Sequence, residues 1–457
     1  MREAILTAPV DKVLYQLTRP MVIGIMAVFF FQLVDTYFIS LLGTKSLAAV
    51  GFALPVTMLV MNLSIGLGIA ASAVIARAFG AGDELQAKQA AMAALLLSLV
   101  LGLIISVVGL LINDPLFRLL GAREELLPEV WNFMLFWWPG SIVMLLMMVQ
   151  NSSMRAIGNT KLPSQMMLVS AILNAALDPL LIFGWGPVPA MGVGGAALAS
   201  ALCWLLVLAV IMTRQRRSGF LSSHGMGWDD IKQLWQRMMT LGIPAMATNM
   251  MVPVAGAVLL MMVAPLGEAA VAGFGVGMRL EPFAILVILA LTSTLPTFVA
   301  QNHGAQQDDR IFSALLISFR FLLILQGAIV VFFWLAADLL AGLFSADSQV
   351  QQTIIAFLHW LPIGYLGMGI VLCVNSALNS LHKPVHSMML NAVRLFVFYV
   401  PGAFIGGWLA GYSGLLLGAA LGNLILGLLV WYWVKQVARH GEVNLIVAHF
   451  SFDSIKR

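Results

Sequence analysis

Two carboxylates lie inside long apolar stretches of this sequence, and each has a carboxamide nearby along the chain. Asp35 lies in the apolar run that begins at Pro20, and Gln32 precedes it by three residues. Asp178 lies in another such run, four residues after Asn174. Side chains three or four residues apart share one face of a helix. The two pairs are therefore the first candidates for chemistry inside a membrane.

A carboxyl group at the centre of a bilayer resists ionisation, because an Asp there costs about 2.5–3.5 kcal/mol on insertion scales. Such a group can alternate between a protonated and a charged form as its surroundings change. Two carboxylates that share a pocket of low dielectric constant titrate as a coupled pair. We therefore interpret Asp35 and Asp178 as a proton-carrying pair. The alternatives are that headgroups solvate Asp35 near a helix end and that Asp178, with Pro179, ends its helix.

The composition indicates a membrane protein. Of the 457 residues, 61% are hydrophobic and 10% are charged, whereas soluble domains carry about 25% charged residues. Roughly 20 apolar residues are enough to span the hydrocarbon core of a bilayer. Twelve apolar stretches are predicted, near 14–40, 47–77, 87–112, 131–155, 163–184, 192–214, 238–264, 270–301, 311–341, 350–379, 386–409 and 413–437.

The basic residues predict the orientation of these spans. With a cytoplasmic N-terminus, 19 of the 24 Lys and Arg residues fall on the cytoplasmic side and three fall outside. An even number of spans with both termini in the cytoplasm satisfies the positive-inside rule. Residues 1–9 lack the apolar region of a cleavable signal. We expect a multi-pass protein of a bacterial-type cytoplasmic (inner) membrane, with the lipid bilayer and no nucleic acid as its partner.

The sequence contains an internal repeat. A shift of 224 residues places Pro20 on Pro244, and a shift of 222 residues places Lys161 on Lys383. Halves with an even number of spans share one orientation, as in secondary transporters built from parallel repeats. We predict an all-α polytopic fold of twelve transmembrane helices, in two pseudo-symmetric six-helix lobes around a central cavity. The predicted domains are an N-terminal lobe, a cytoplasmic connecting loop and a C-terminal lobe, at 1–218, 219–237 and 238–457.

The polar residues of the first lobe are not repeated in the second. The shifts place Asp35 on Leu259 and Asp178 on Val400. A candidate secondary polar site comprises Gln32, Arg279, Glu281 and Arg394. Pro20 is a candidate conformational kink, because proline removes a backbone donor and bends helices. The alternative is a proline tolerated in the first turn of the helix.

These features together resemble the multidrug and toxic compound extrusion (MATE) transporters, in particular the DinF-like branch. The resemblance rests on the two six-span lobes, the turn Gly80-Ala-Gly-Asp-Glu84, Asp35 and the Asn174…Asp178 pair. It implies a monomeric exporter that exchanges a cation for organic, often cationic, small-molecule drugs. It also implies that Asp35 is the proton-linked residue and that Asn151, Asn174 and Asp178 support it.

Protons are the expected coupling ion, and no cofactor or metal site is expected. The sodium-coupled branch of the same family uses acidic residues on the seventh and tenth spans, and here those spans carry none. The alternative is Na⁺ bound at the Asp35 cluster, since carboxylate and carboxamide oxygens also suit that ion. On either reading the resemblance implies a secondary active antiporter for multidrug efflux.

Other functions fit the sequence less well. It contains neither a His-Glu-x-x-His motif nor a P-loop, so no enzyme activity is expected and the energy must come from an ion gradient. A lipid or lipid-linked oligosaccharide flippase is the main alternative. Its cavity should display several basic groups for phosphates, and here only Arg279 and Arg394 fall within spans. A channel is disfavoured, because two similar lobes around a titratable site suit alternating access.

Overall fold

The chain is helical almost throughout. The structure is a computed structural model that describes residues 2–120, 122–185, 189–221 and 226–440, and within these ranges it has no β-strand. The α-helices in chain order are α1 Arg2–Thr7, α2 Val10–Ser40, α3 Thr44–Ala81, α4 Glu84–Leu111, α5 Asn113–Leu119, α6 Leu127–Ala156, α7 Lys161–Phe183, α8 Val193–Arg217, α9 Trp228–Val263, α10 Glu268–Ala284, α11 Leu286–Gly304, α12 Asp308–Phe344, α13 Ser348–Trp360, α14 Tyr365–Ser380, α15 Pro384–Ala392 and α16 Val400–His440. A π-helical turn, Val393–Tyr399, joins α15 to α16. The all-α prediction is confirmed.

The predicted spans appear as ten long apolar helical segments and one bent pair within the described residues. The pair is α10 and α11, which meet at Ile285 with a bend of 46°. The segment Pro384–Ala438 has 55 residues, a length of about 80 Å. That is too long for one crossing of a bilayer, and the helical backbone is interrupted at Ala410 and Gly411. This segment therefore holds the last two predicted spans.

The two arms of α16 pack against each other through glycines. A Cβ atom added to Gly406 would lie 2.0 Å from the carbonyl oxygen of Gly414, and one added to Gly402 would lie 2.4 Å from that of Gly418. Small residues at such spacing allow the backbones of two membrane helices to approach closely. Gly411, between the arms, has a φ of 60°, which glycine adopts without strain. The glycine pattern thus specifies a tight helical hairpin.

The structure divides into two compact units whose boundaries lie inside helices. The first unit is Arg19–Met246, and the second combines Arg2–Thr18 with the chain from Ala247 onwards. One boundary lies in α2 beside Pro20, and the other lies in α9 beside Pro244. Within the second unit, the hydroxyls of Thr18 and Thr294 share a hydrogen bond of 3.0 Å. The first nine residues of α2 therefore pack apart from the rest of that helix.

Of the range predicted as the connecting loop, 219–237, residues 222–225 lie outside the described residues. Helix α9 begins at Trp228, so the second part of that range is helical. Asp229 and Asp230 lie in the first turn of α9, where negative charge favours the positive end of the helix dipole. The indole of Trp235 donates a hydrogen bond of 2.9 Å to the backbone carbonyl of Ala93, which fixes this turn on the first unit.

Helix α1 is held in the second unit by Arg310, near the start of α12. One terminal nitrogen of its guanidinium donates to the backbone carbonyls of Ile5 at 3.0 Å and Ala8 at 2.7 Å. Its Nε donates to the side chain of Asn302 at 3.0 Å, and the guanidinium lies 5.6 Å from the ring centre of Phe298. The last carbonyls of a helix lack partners within it. Arg310 therefore both satisfies and anchors the end of α1.

Arg310→Gln is expected to loosen α1. A hydrogen bond to a charged group contributes about 1.5–3 kcal/mol. The variant removes the two hydrogen bonds that Arg310 donates to the backbone carbonyls of Ile5 and Ala8. Opening of α1 should therefore become at least about tenfold more frequent. Hydrogen–deuterium exchange of the amides of α1 in the detergent-solubilised protein measures it. Arg320→Gln, at an exposed position of α12, is the matched control, and equal exchange in the two variants would contradict the anchoring.

Candidate functional site

The centre of the candidate site is a hydrogen-bonded pair on α7. Asn174 and Asp178 are both fully buried, and the amide of Asn174 donates to Oδ1 of Asp178 at 3.0 Å. Their spacing of four residues places them on one face of the helix. Helix α7 continues past Pro179 and ends at Phe183. The alternative that Asp178 and Pro179 end the helix is therefore wrong, and Asp178 lies within a membrane-spanning helix.

Asp35 on α2 lies within electrostatic reach of Asp178. The Asp35 side chain is partly buried, and its Oδ1 is shielded and has no hydrogen-bond partner among the described residues. The same is true of Oδ2 of Asp178 and Oδ1 of Asn174. A buried acceptor without a donor costs about 1–3 kcal/mol. The pair of carboxylates thus presents acceptor oxygens that a proton or a small cation would satisfy.

Asn151 on α6 is buried in the same unit. Its amide donates to the sulfur of Met147 at 2.9 Å, which is a weak acceptor, and its Oδ1 has no partner among the described residues. The neighbouring Gln150 is fully buried, and neither atom of its amide is paired within the described part of the chain. Helix α6 thus adds two further carboxamides to the polar interior of the first unit.

An apolar groove of about 270 Å³ lies between α2 and α7. Its lining includes Phe31 and Val34 from α2 and Ala171 and Ala175 from α7. Val34 and Ala175 are the immediate chain neighbours of Asp35 and Asn174. The two helices that carry the polar cluster therefore also form a hydrophobic surface that can accept a flat apolar molecule.

Pro20 lies inside α2, which runs as one helix from Val10 to Ser40. The carbonyl of Pro20 accepts a hydrogen bond from the hydroxyl of Ser164 on α7. An added Cβ on Gly24, one turn later, would lie 3.0 Å from the backbone of Ser164. The start of the first-unit part of α2 is thus packed closely against the helix that carries Asp178.

The residues of the predicted secondary polar site come from both units. Gln32 lies in the first unit with its side chain exposed, whereas Arg279, Glu281 and Arg394 belong to the second unit. Arg279 is exposed, Glu281 is partly buried and Arg394 is buried. Residues 279 and 281 are two apart and so lie on different faces of α10.

Arg394 lies at the centre of a network of amides in the second unit. Its Nε and one terminal nitrogen donate to Oδ1 of Asn391 at 3.2 and 3.1 Å, and its other terminal nitrogen donates to Oδ1 of Asn423 at 3.3 Å. The amide of Asn391 donates in turn to the backbone carbonyl of Thr248 at 3.1 Å. These contacts join α9, the α15 segment and α16.

Glu281 interacts electrostatically with Arg394, Tyr365 and Tyr399. It forms no ion pair within 4.0 Å in the described part of the chain, where the ion pairs are Lys88–Glu84, Arg118–Glu124 and His303–Asp308. The hydroxyl of Tyr365 is buried and lacks a hydrogen-bond partner among the described residues.

We call this set the Glu281–Arg394 cluster, and its members are Glu281, Tyr365, Asn391, Arg394, Tyr399 and Asn423. The sequence showed its two charges but not its other members. Asn391 and Asn423 lie in apolar runs, which marks them as unusual. Asn391 is three residues from Arg394, a spacing that favours contact along a helix, whereas the approach of Asn423 depends on how α16 packs against the π-helical turn.

The chain matches the MatE family model twice, over residues 20–180 and 244–405. The two matched segments begin 224 residues apart, the interval that separates Pro20 from Pro244. The internal repeat is therefore a repeat of the family's own module. Together the two matches cover most of the chain.

Similar proteins also match over most of their length. A protein of Shewanella oneidensis named FAD transporter is 38% identical over 440 residues, covering 95% of this chain and 97% of its own. The multidrug export protein MepA of Staphylococcus aureus is 29% identical over 302 residues, 66% of each chain. Among solved structures, the MATE transporter VcmN of Vibrio cholerae in the bent form has a TM-score of 0.89 at 32% identity, covering 95% of this chain and 98% of its own.

Proposed function

This chain belongs to the MatE family of membrane transporters, and from that premise we propose that it is a secondary active exporter of organic compounds driven by protons. The observation that carries the proposal is the cluster of Asp35, Asn174 and Asp178. Its two carboxylates interact electrostatically, and Oδ1 of Asp35 and Oδ2 of Asp178 lack a donor among the described residues. A proton supplies the missing donor and removes a buried charge. Its binding and release are then coupled to alternating access.

The coupling supplies useful energy. A potential of 100 mV is worth about 2.3 kcal/mol for each charge moved across the membrane. Each carboxylate of the cluster accepts one proton and thereby loses one negative charge. Proton binding driven by the gradient therefore changes the electrostatic interactions of the site, and this change can drive a change of conformation. Na⁺ is the alternative coupling ion, since the same oxygens suit a hard cation.

Organic cations are the first proposed substrate class. The apolar groove lies between α2 and α7, the two helices that carry Asp35 and Asp178. A flat cation that binds there combines apolar contact with attraction to the carboxylates of the same helices. Proton and cation then compete for one negative charge, which is the condition for exchange. The similarity to MepA supports drug export.

Export of FAD is the second candidate. It is favoured by the full-length similarity to the Shewanella oneidensis FAD transporter, at 38% identity. FAD carries a pyrophosphate, and the buried Arg394 is a cation of the kind that binds phosphate. We propose further that the chain acts as a monomer of the DinF-like branch in the cytoplasmic membrane, with both termini in the cytoplasm.

Everted membrane vesicles test the function and the coupling ion together. In vesicles with an acidic interior and no Na⁺, addition of ethidium should dissipate the pH gradient, read by an acidity-sensitive fluorescent dye. The rate should be unchanged when Na⁺ is added. Vesicles from cells without the chain provide the baseline. A response that appears only with Na⁺ would overturn proton coupling. A response to FAD but not to ethidium would assign the second substrate class.

A further inference from the structure

We propose that the Glu281–Arg394 cluster is a second binding site, which takes the phosphate group of an organic phosphate ester or pyrophosphate carried by the protein. The inference rests on the proposed function, and it names a site and a chemistry for one class of substrate. The cluster lies wholly in the second unit. It shares no residue with the proton-linked cluster of the first unit.

The guanidinium of Arg394 has the donors that this role requires. Arg carries five N–H groups in a planar fork that matches the oxygens of phosphate. Three are engaged by Asn391 and Asn423, at 3.1–3.3 Å. One N–H on each terminal nitrogen is left for a further acceptor. N–H groups of a guanidinium are strong donors to the oxygens of a phosphate.

The partners of Arg394 are neutral, so its positive charge is not cancelled by the bonds it makes. Asn391 and Asn423 hold the fork in place, and each is itself at most 4% exposed. A buried charge costs free energy unless an opposite charge compensates it. Glu281 offers that compensation from beyond ion-pair distance. A phosphate oxygen that hydrogen-bonds Arg394 directly would compensate it better.

The two units differ in the sign of the charge that they offer inside the membrane. The cluster of the first unit carries two carboxylates, Asp35 and Asp178, and would repel a phosphate. The second unit places Arg394 inside the membrane and Arg279 on the same helix as Glu281. The hydroxyl of Tyr365, 2% exposed and without a partner among the described residues, is a further donor for an anion. An anionic group is therefore accommodated in the second unit.

Glu281 and a phosphate compete for Arg394. An ionised Glu281 and a phosphate carry charge of the same sign, so a bound phosphate is stabilised by Arg394 and destabilised by that carboxylate. Replacing each residue by Gln should thus change phosphate affinity in opposite directions. If the cluster had a purely structural role, replacing either residue would instead weaken the fold. Both variants would then lose the binding of every ligand in parallel.

Flavin binding to the purified full-length protein in detergent tests the site. Riboflavin, FMN and FAD share one ring system but differ in phosphate content. In the unmodified protein, FMN and FAD should bind at least about tenfold more tightly than riboflavin, because a hydrogen bond to a charged group is worth about one factor of ten or more. Arg394→Gln should remove that difference and leave riboflavin binding unchanged. Quenching of flavin fluorescence gives the affinities.

Two further variants separate recognition from folding. Glu281→Gln should tighten FMN and FAD binding and leave riboflavin unchanged. Arg320→Gln, which removes an exposed arginine of α12, should leave all three affinities unchanged. Equal affinities for the three flavins in the unmodified protein would overturn the proposal. So would parallel losses in Arg394→Gln and Glu281→Gln, or a loss of riboflavin binding in Arg394→Gln.

A lipid headgroup could supply the same phosphate chemistry, and a competition arm distinguishes the two sources. Added phosphatidylglycerol should not displace FAD from the unmodified protein. If Arg394→Gln abolished binding of phosphatidylglycerol and left FAD binding intact, the assignment to a transported solute would be wrong. Ethidium-driven proton release in vesicles remains the separate readout of the proposed function. It is measured in the unmodified protein with ethidium, which carries no phosphate, so failure of the phosphate site and failure of drug export are told apart.

Discussion

Asp35→Asn is expected to abolish active export while leaving the protein folded and in the membrane. The substitution keeps the size of the side chain and its hydrogen-bonding oxygen but removes the group that exchanges a proton. Without that exchange the transporter loses about 2.3 kcal/mol of drive for each 100 mV, which corresponds to about a 50-fold loss in the concentration ratio it can maintain. Efflux of ethidium from energised cells measures the effect.

Asp338→Asn is the matched control for this variant. Asp338 is an exposed carboxylate of α12, and its replacement makes the same chemical change in another apolar helix. It should retain the efflux of the unmodified protein. Protein levels in the membrane and elution as a single species in detergent should be equal in both variants. Full efflux by Asp35→Asn would remove Asp35 from the mechanism.

Gly406→Ala is expected to destabilise the protein strongly, although it adds only one methyl group. The new methyl carbon would lie 2.0 Å from the carbonyl oxygen of Gly414. No side-chain rotation relieves that contact, because both partners are backbone. The two arms of α16 must separate, and overpacking of this kind costs about 1–3 kcal/mol. The melting temperature in detergent should fall, and the loss of helical signal on heating measures it.

The neighbouring Gly407→Ala separates this contact from the general effect of alanine. A Cβ on Gly407 would meet Leu415 at 3.4 Å, which is ordinary contact. Alanine favours the helix over glycine by about 1 kcal/mol. Gly407→Ala should therefore melt at the same temperature as the unmodified protein or slightly above it. Equal melting temperatures for the two variants would contradict close packing of the arms.

The elements that sequence could predict are those set by local periodicity. Apolar runs located the spans, and the spacing of four between Asn174 and Asp178 correctly implied a shared face, which the 3.0 Å hydrogen bond shows. The interval of 224 residues predicted the repeat from the sequence alone, and the two family matches begin at the same interval. Each of these depends on residues close in sequence or on a regular offset.

The remaining features depend on contacts between distant residues. The first turns of α2 pack with the second unit because Thr18 meets Thr294, 276 residues away. Of the two amides that Arg394 contacts, Asn391 is three residues away, but Asn423 on α16 is 29 residues away. The local sequence pattern around these residues does not predict their long-range contacts. The apolar pattern also continues through Ala410 and Gly411, so only the backbone geometry shows where the last two spans separate.

The π-helical turn at Val393–Tyr399 has a consequence for reading this span as a helical wheel. A π turn accommodates one residue more than an α turn, and one residue corresponds to about 100° around an α-helix. A wheel drawn from the sequence alone therefore misorients every side chain on the C-terminal side of the turn by roughly that angle relative to Asn391. In evolutionary terms the turn has the form of a single inserted residue. Its removal would return the span to an unbroken α register and rotate the surface beyond Arg394 to a different neighbour.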